Sequence, residues 1–147
     1  MDKFMKAAFE EAKKGLGEGG IPIGAVLVRG GKIIGRGRNR RVQDLDPTAH
    51  AEIDCLRDAG RIGSYADCTL YSTLSPCYMC TGAVLLFKIP KVIIGENRNF
   101  VGGEDLLKEK GVELANLNDK EISGFFRKWV NDNPALWDED IGETKII

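Results

Sequence analysis

The chain has 147 residues, 43% hydrophobic and 29% charged, a composition ordinary for a soluble globular protein and sufficient for one packed core. Its formal charge of −1 denies it the broad positive field of a nucleic-acid binder, and no apolar run approaches a membrane span. Four cysteines behind an N-terminus without a secretory pattern (Met1-Asp2-Lys3-Phe4) point to a reducing cytoplasm, not a disulfide scaffold.

Residues 2–15 carry Phe4, Ala8 and Ala12 at four-residue spacing, which predicts an amphipathic helix stopped by the glycines that follow. Gly15, Gly17 and Gly20 fit G-x-G-x-x-G, but that fingerprint needs a strand before it and a helix after it. Here the order is reversed, so dinucleotide binding is excluded. Residues 23–28 and 32–39 predict two strands joined at Gly30-Gly31, a signal for a tight primed hairpin turn. A helix is expected from near His50 to Ala59, and a strand over 69–73. Pro76 suits the first turn of another helix, ending at Phe87. A strand over 92–94, a helix over 104–110 and a strand over 112–117 follow. Ile122, Phe125, Phe126, Trp129 and Val130 then form the apolar stripe of a helix opening near Asp119. Strands separated by helices after an initial hairpin imply an α/β fold, a mixed sheet covered on both faces within a single domain over 1–147.

The only histidine stands in His50-Ala51-Glu52, and Pro76-Cys77-Tyr78-Met79-Cys80 lies downstream. Imidazole and two cysteines at i, i+3 are good zinc ligands, and three protein ligands leave a fourth tetrahedral position open, as a catalytic site requires. The expected shell is His50, Cys77 and Cys80 around one zinc ion per chain, with Cys55 and Cys68 left as buried thiols. Glu52 is two residues from a ligand yet not needed as one, so it is free to carry protons. It would take one from water, protonate a ring nitrogen and deliver one to a departing amine. The combined H-x-E and P-C-x-x-C pattern is the signature of zinc nucleobase deaminases. Both halves fall at strand-to-helix transitions, where α/β proteins place ligand sites.

Further segments resemble cytosine deaminases of the fungal type, within the zinc-dependent cytidine/deoxycytidylate deaminase superfamily. They are Gly19-Gly20-Ile21-Pro22-Ile23-Gly24, Gly35-Arg36-Gly37-Arg38-Asn39, Thr73-Leu74-Ser75-Pro76-Cys77, Gly95-Glu96-Asn97-Arg98-Asn99-Phe100 and Trp137-Asp138-Glu139-Asp140-Ile141-Gly142-Glu143. The resemblance implies a three-layer α/β/α sandwich with a central five-stranded sheet, a homodimer, and conversion of cytosine to uracil and ammonia in pyrimidine salvage. It also implies that Asn39 hydrogen-bonds the pyrimidine and Asp140 its exocyclic amine. Phe100 and Trp137 would close the pocket, and the backbone around Ala51 and Ser75 would add polar contacts. On that reading Asp140 touches the base and not the metal.

The chain departs from the fungal pattern at Ala51, where fungal members have glycine, in a shorter hairpin, and at Asp138, where they have an aromatic residue. Alanine at position 51 is shared with guanine deaminases and tRNA adenosine deaminases, which stay as enzyme alternatives. Arg36, Arg38, Arg40 and Arg41 form a basic run that could touch tRNA phosphate; the near-neutral total favours a charged edge strand and no nucleic-acid partner. The non-enzymatic alternative is a structural zinc module that binds another protein.

Overall fold

The alternation of apolar residues in the first strand, β1 (Gly24–Arg29), divides the interior in two. Ala25 and Leu27 enter one cluster and Val26 and Val28 the other, as the two-residue repeat of a strand dictates. In the computed structural model, which describes residues 1–146, four more strands continue this division: β2 (Lys32–Arg38), β3 (Cys68–Leu74), β4 (Lys91–Glu96) and β5 (Glu113–Asn116). They form one sheet in the order β2-β1-β3-β4-β5. The pairs of β1 with β2 and β3 are antiparallel, whereas β3–β4 and β4–β5 are parallel.

The helices are α1 (Lys3–Gly17), α2 (Arg41–Asp44), α3 (Ala51–Ala59), α4 (Tyr78–Leu86), α5 (Glu104–Glu109), α6 (Lys120–Asp132) and α7 (Pro134–Asp140). Met5, Ala8, Phe9 and Ala12 of α1 cover one sheet face with Ile122 of α6, and Phe9 meets Phe125 edge-on with ring centroids 5.1 Å apart. Cys55 of α3, Val84 of α4 and Leu107 of α5 cover the other face, joined by Phe126 and Trp129 of α6. The expected α/β/α sandwich around a mixed five-stranded sheet is the observed architecture.

The hairpin turns at Gly30 and Gly31 with φ of 58° and 76°, the two positive values that a primed turn requires. Gly37 matters for the site. A methyl group there would overlap the Ala51 carbonyl and the Cys55 amide, so its absence lets α3 lie directly on β2. That close seating fixes the start of α3, where His50 stands.

Several boundaries differ from the sequence expectation. Helix α1 continues through Gly15 and Gly17, because a glycine weakens a helix by about 1 kcal/mol without ending it. The chain leaves helical geometry only beyond, with Gly19 at a φ of 83°. Helix α4 begins at Tyr78 and not at Pro76, since Cys77 is its N-cap and its Sγ accepts from the Cys80 amide at 3.5 Å. Two helices lie where none was expected: the single turn α2, closed by Leu45 at a φ of 52°, and α7, opened by Pro134.

Candidate active site

Two helix N-termini converge at the carboxyl ends of the strands, with His50 capping α3 and Cys77 capping α4. Helix N-termini carry positive partial charge and favour thiolates. The donor atoms of His50, Cys77 and Cys80 all lie within 4.8 Å of one another. His50 Nδ1 is 3.4 Å from Cys77 Sγ and 3.8 Å from Cys80 Sγ. Tetrahedral zinc with ordinary Zn–S and Zn–N bonds sets S···N separations of about 3.6 Å, so the shell fits the ion.

The other face of the imidazole supplies an independent argument. His50 Nε2 is 3.2 Å from Asp140 Oδ1, a buried oxygen that among the described residues has no hydrogen-bond donor except that nitrogen when it is protonated. A proton on Nε2 satisfies this oxygen and leaves the Nδ1 lone pair facing the two sulfurs. Such a carboxylate–histidine pair fixes the tautomer needed by a metal ligand. Asp140 Oδ2 in turn accepts from Asn39 Nδ2 at 3.2 Å, and Asn39 Oδ1 accepts from the Arg41 amide at 2.9 Å.

Electrostatics in the cluster follow from burial and close packing. A hydrogen bond from Cys80, helped by His50 and opposed by burial, holds the Cys77 thiol down at about 4. The same partnership, with burial, pushes Cys80 well above the ordinary thiol value. Burial would lower His50, but its bonds to Asp140 and Cys77 outweigh that and raise it to about 10. An ion in this shell needs two thiolates and a free Nδ1, so its binding is coupled to proton release. Glu52, buried in the first turn of α3, is raised to about 7 by burial and then by the neighbouring Cys77 charge, against the pull of His50.

A cleft of about 470 Å³ opens over His50 and Cys77 and is bordered by Phe100, Gly102, Asp140 and Ile141. The other expected base-contact residues stand behind its walls. Asn39 and Ala51 are fully buried, and Trp137 packs edge-on against Phe100 and Phe126 with centroids 5.6 and 5.0 Å away. The Ser75 hydroxyl is committed elsewhere: it donates to Glu104 Oε2 at 2.6 Å and accepts from the Gly102 amide at 3.0 Å.

Sequence reasoning missed that Asp140 reaches a metal ligand as well as the cleft. It also missed two buried carboxylates that shape the cleft's Phe100 wall. Glu96 accepts from the Arg98 and Asn99 amides at 2.7 and 3.1 Å, and Glu104 from Asn97 Nδ2 and Ser75. A charged residue ending the apolar run of β4 was the available signal for Glu96. Three of the four arginines of the basic run pair within the chain, Arg38 with Glu11 and Glu18, Arg40 with Asp54 and Arg41 with Glu139, while Arg36 is exposed on the edge strand β2.

A mixed sheet bearing one imidazole and two thiol ligands at helix N-termini, with a buried glutamate beside them, defines a zinc site of the deaminase class. The chain belongs to the family of the cytidine and deoxycytidylate deaminase zinc-binding region, whose family model matches residues 1–96. That span holds His50, Glu52, Cys77 and Cys80 and stops before Phe100, Trp137 and Asp140. A cytosine deaminase of Candida albicans is 46% identical over 144 residues, covering 96% of both chains. A tRNA-specific adenosine deaminase of Streptococcus pyogenes is 43% identical over 107 residues, covering 71% of this chain and 67% of its own. A structure from work on A-to-I editing by tRNA:A34 deaminases superposes with a TM-score of 0.73 at 30% identity, over 82% of this chain and 96% of that one. A guanine deaminase structure from Nitrosomonas europaea gives 0.76 at 23% identity, over 86% and 82%, a likeness of fold alone.

Proposed function

We propose that the chain is a single deaminase domain over 1–147 that hydrolyses cytosine to uracil and ammonia, serving pyrimidine salvage. The observation that carries this reading is α7, which lays Asp140 against His50 and Asn39 and Trp137 against Phe100 at the metal cleft. A C-terminal helix in that place leaves room for a free base and works against a ribose or an RNA strand. The likeness to the Candida albicans cytosine deaminase supports it, because that match spans nearly the whole of both chains. Internal pairing of Arg38, Arg40 and Arg41 takes up three of the four charges that a tRNA reading would use.

When bound, zinc supplies the Lewis acidity that makes water a nucleophile near neutral pH. Glu52 would take one proton from the attacking water and pass it to the ring nitrogen, then take the second proton from the new hydroxyl and give it to the amine as the C–N bond breaks, leaving a carbonyl and ammonia. A carboxyl raised toward neutrality is suited to both giving and receiving protons. Asp140 holds the exocyclic amine, and Asn39 behind it reaches the pyrimidine edge through the Nδ2 hydrogen not given to Asp140, with Phe100 on the cleft wall and Trp137 packed behind it. Backbone groups near Ala51 and Ser75 complete the polar contacts.

Two further readings go with this one. A homodimer through α4 accounts for Tyr78 and Leu86, which are 78% and 71% exposed on that helix. Sedimentation equilibrium showing only the 16.1 kDa chain at micromolar concentration would exclude it. A cytoplasmic setting suits a site that needs Cys77 and Cys80 reduced, and all four cysteines are free thiols.

Ammonia release by the zinc-loaded protein from cytosine, cytidine, guanine and an adenosine-34 tRNA stem-loop tests the function. Cytosine should be used far better than the others. Equal use of cytidine, or turnover of the stem-loop alone, would overturn the proposal.

A further inference from the structure

Arg41 belongs to the basic run, yet its guanidinium faces the C-terminal helix. Its Nε donates to Glu139 Oε2 at 3.0 Å, and Nη1 lies 3.6 Å from Asp140 Oδ1 and 3.4 Å from the Pro47 carbonyl. Glu139 and Asp140 are the last two residues of α7, a helix of seven residues whose other anchor is Trp137 in the aromatic cluster. The middle of α7 is therefore held by packing, and its last turn by Arg41 together with the bonds of Asp140 to His50 and Asn39.

Two clefts flank that second attachment. The metal cleft borders Asp140 and Pro47, and a second cleft of about 460 Å³ is lined by Arg41, Leu45, Asp46, Pro47 and Glu139. Arg41 and Glu139 line this second cleft and not the metal cleft. Separation of that pair would let the end of α7 swing out and widen the metal cleft toward its neighbour.

We propose that Arg41 is a positioning residue, a latch whose pairs with Glu139 and Asp140 hold α7 on the metal site and whose release admits the base and frees the product. The passage of a base rests on the deaminase reading; the latching of α7 does not. Asp140 has a side chain only 2% exposed, and a carboxylate that deep needs a cation beside it. A guanidinium can reach both acidic side chains at once, which the point charge of a lysine cannot. Glu139 is 54% exposed, so its pair is worth little and can break within a catalytic cycle. Asp140 bonds His50, so an opened latch also loosens the metal shell.

The test compares zinc-loaded wild type with Arg41→Ala, Arg41→Lys, Glu139→Gln and the Arg41→Ala/Glu139→Gln double variant. Two quantities are read: the rate of zinc loss to a colorimetric chelator, and kcat and KM for cytosine. Arg41→Ala should speed zinc loss about five-fold, the upper range for a partly exposed ion pair, and raise KM without lowering kcat. Glu139→Gln should move both quantities in the same direction by less, and the double variant should match Arg41→Ala. Arg41→Lys should recover part of the loss. Unchanged zinc loss in Arg41→Ala and Glu139→Gln, or additive effects in the double variant, would overturn the latch. If no free base is deaminated, the zinc-loss comparison still decides it.

Discussion

Replacing Asp140 with asparagine changes few atoms and disturbs the site in a way the geometry defines. Asp140 accepts on both oxygens, with His50 Nε2 at 3.2 Å on one side and Asn39 Nδ2 at 3.2 Å on the other. An amide offers one oxygen. If it faces His50, its NH2 meets the NH2 of Asn39; if it faces Asn39, its NH2 meets the imidazole N–H. Asn39 cannot relieve the conflict by turning over, because its Oδ1 already accepts from the Arg41 amide at 2.9 Å. One buried donor is thus orphaned in either orientation, at a cost of about 1–3 kcal/mol. Loss of an outer carboxylate partner typically weakens metal binding about 10–100-fold, which is ~1.4–2.8 kcal/mol. The two ranges agree because the same hydrogen bonds are counted. Competitive titration of zinc against a chelator should therefore show affinity reduced 10–100-fold in Asp140→Asn. Unchanged zinc affinity together with a fall in cytosine turnover would refute this reasoning and confine Asp140 to the base.

Glu52→Gln should keep one zinc per chain and lose about 10²–10⁴ in turnover, because an amide cannot move the protons; zinc analysis and steady-state rates on one preparation check both halves. Ser75→Ala removes the donor to Glu104 and the acceptor for the Gly102 amide, so unfolding free energy in urea should fall by about 1–3 kcal/mol, and a change near zero would count against the Ser75–Glu104 link. Glu18 has a folded pKa lowered to about 2 from 4.5, chiefly by Arg38 and then Gln43. Its contribution is therefore present above pH 4.5 and lost as pH falls toward 2, so Glu18→Gln should destabilise at pH 7 and match wild type near pH 2 in urea melts.

The metal ligands, and the placement of Glu52 beside them, were legible because their information is local. Two short motifs name the donor atoms, and apolar periodicity places each motif at the start of a helix. The sheet was legible for a similar reason: β1, β3 and β4 carry runs whose faces are decided residue by residue. Helix ends were less legible. Cys77 displaces Pro76 as the start of α4 by capping with sulfur, which no propensity scale weighs. The arginine run was legible as a charged edge strand, which β2 is, but its ion-pair partners were not, because a charge pattern does not name them. Arg38 meets Glu11 and Glu18 only because α1 lies beside β2. Asn39 and Asp140 are 101 residues apart, and their bond exists only after α7 has folded back across the sheet.

The interior holds several carboxylates, and their surroundings give one chemical group different duties. Glu52 has burial and a neighbouring thiolate against it, so its proton is held near neutrality and can be exchanged. Asp140 is almost as buried but meets two side-chain donors and a guanidinium, which suits it to orienting other groups. Glu96 and Glu104 find backbone and side-chain donors from the 97–103 segment and from Ser75, and so set the path of the chain that carries Phe100. A buried carboxylate is costly wherever donors are missing, which ties each of these residues to its partners. The cleft is consequently built from polar bonds between distant segments, while hydrophobic packing sets only the frame. Exchanges among apolar residues in the sheet should be tolerated more readily than loss of any one of these oxygens.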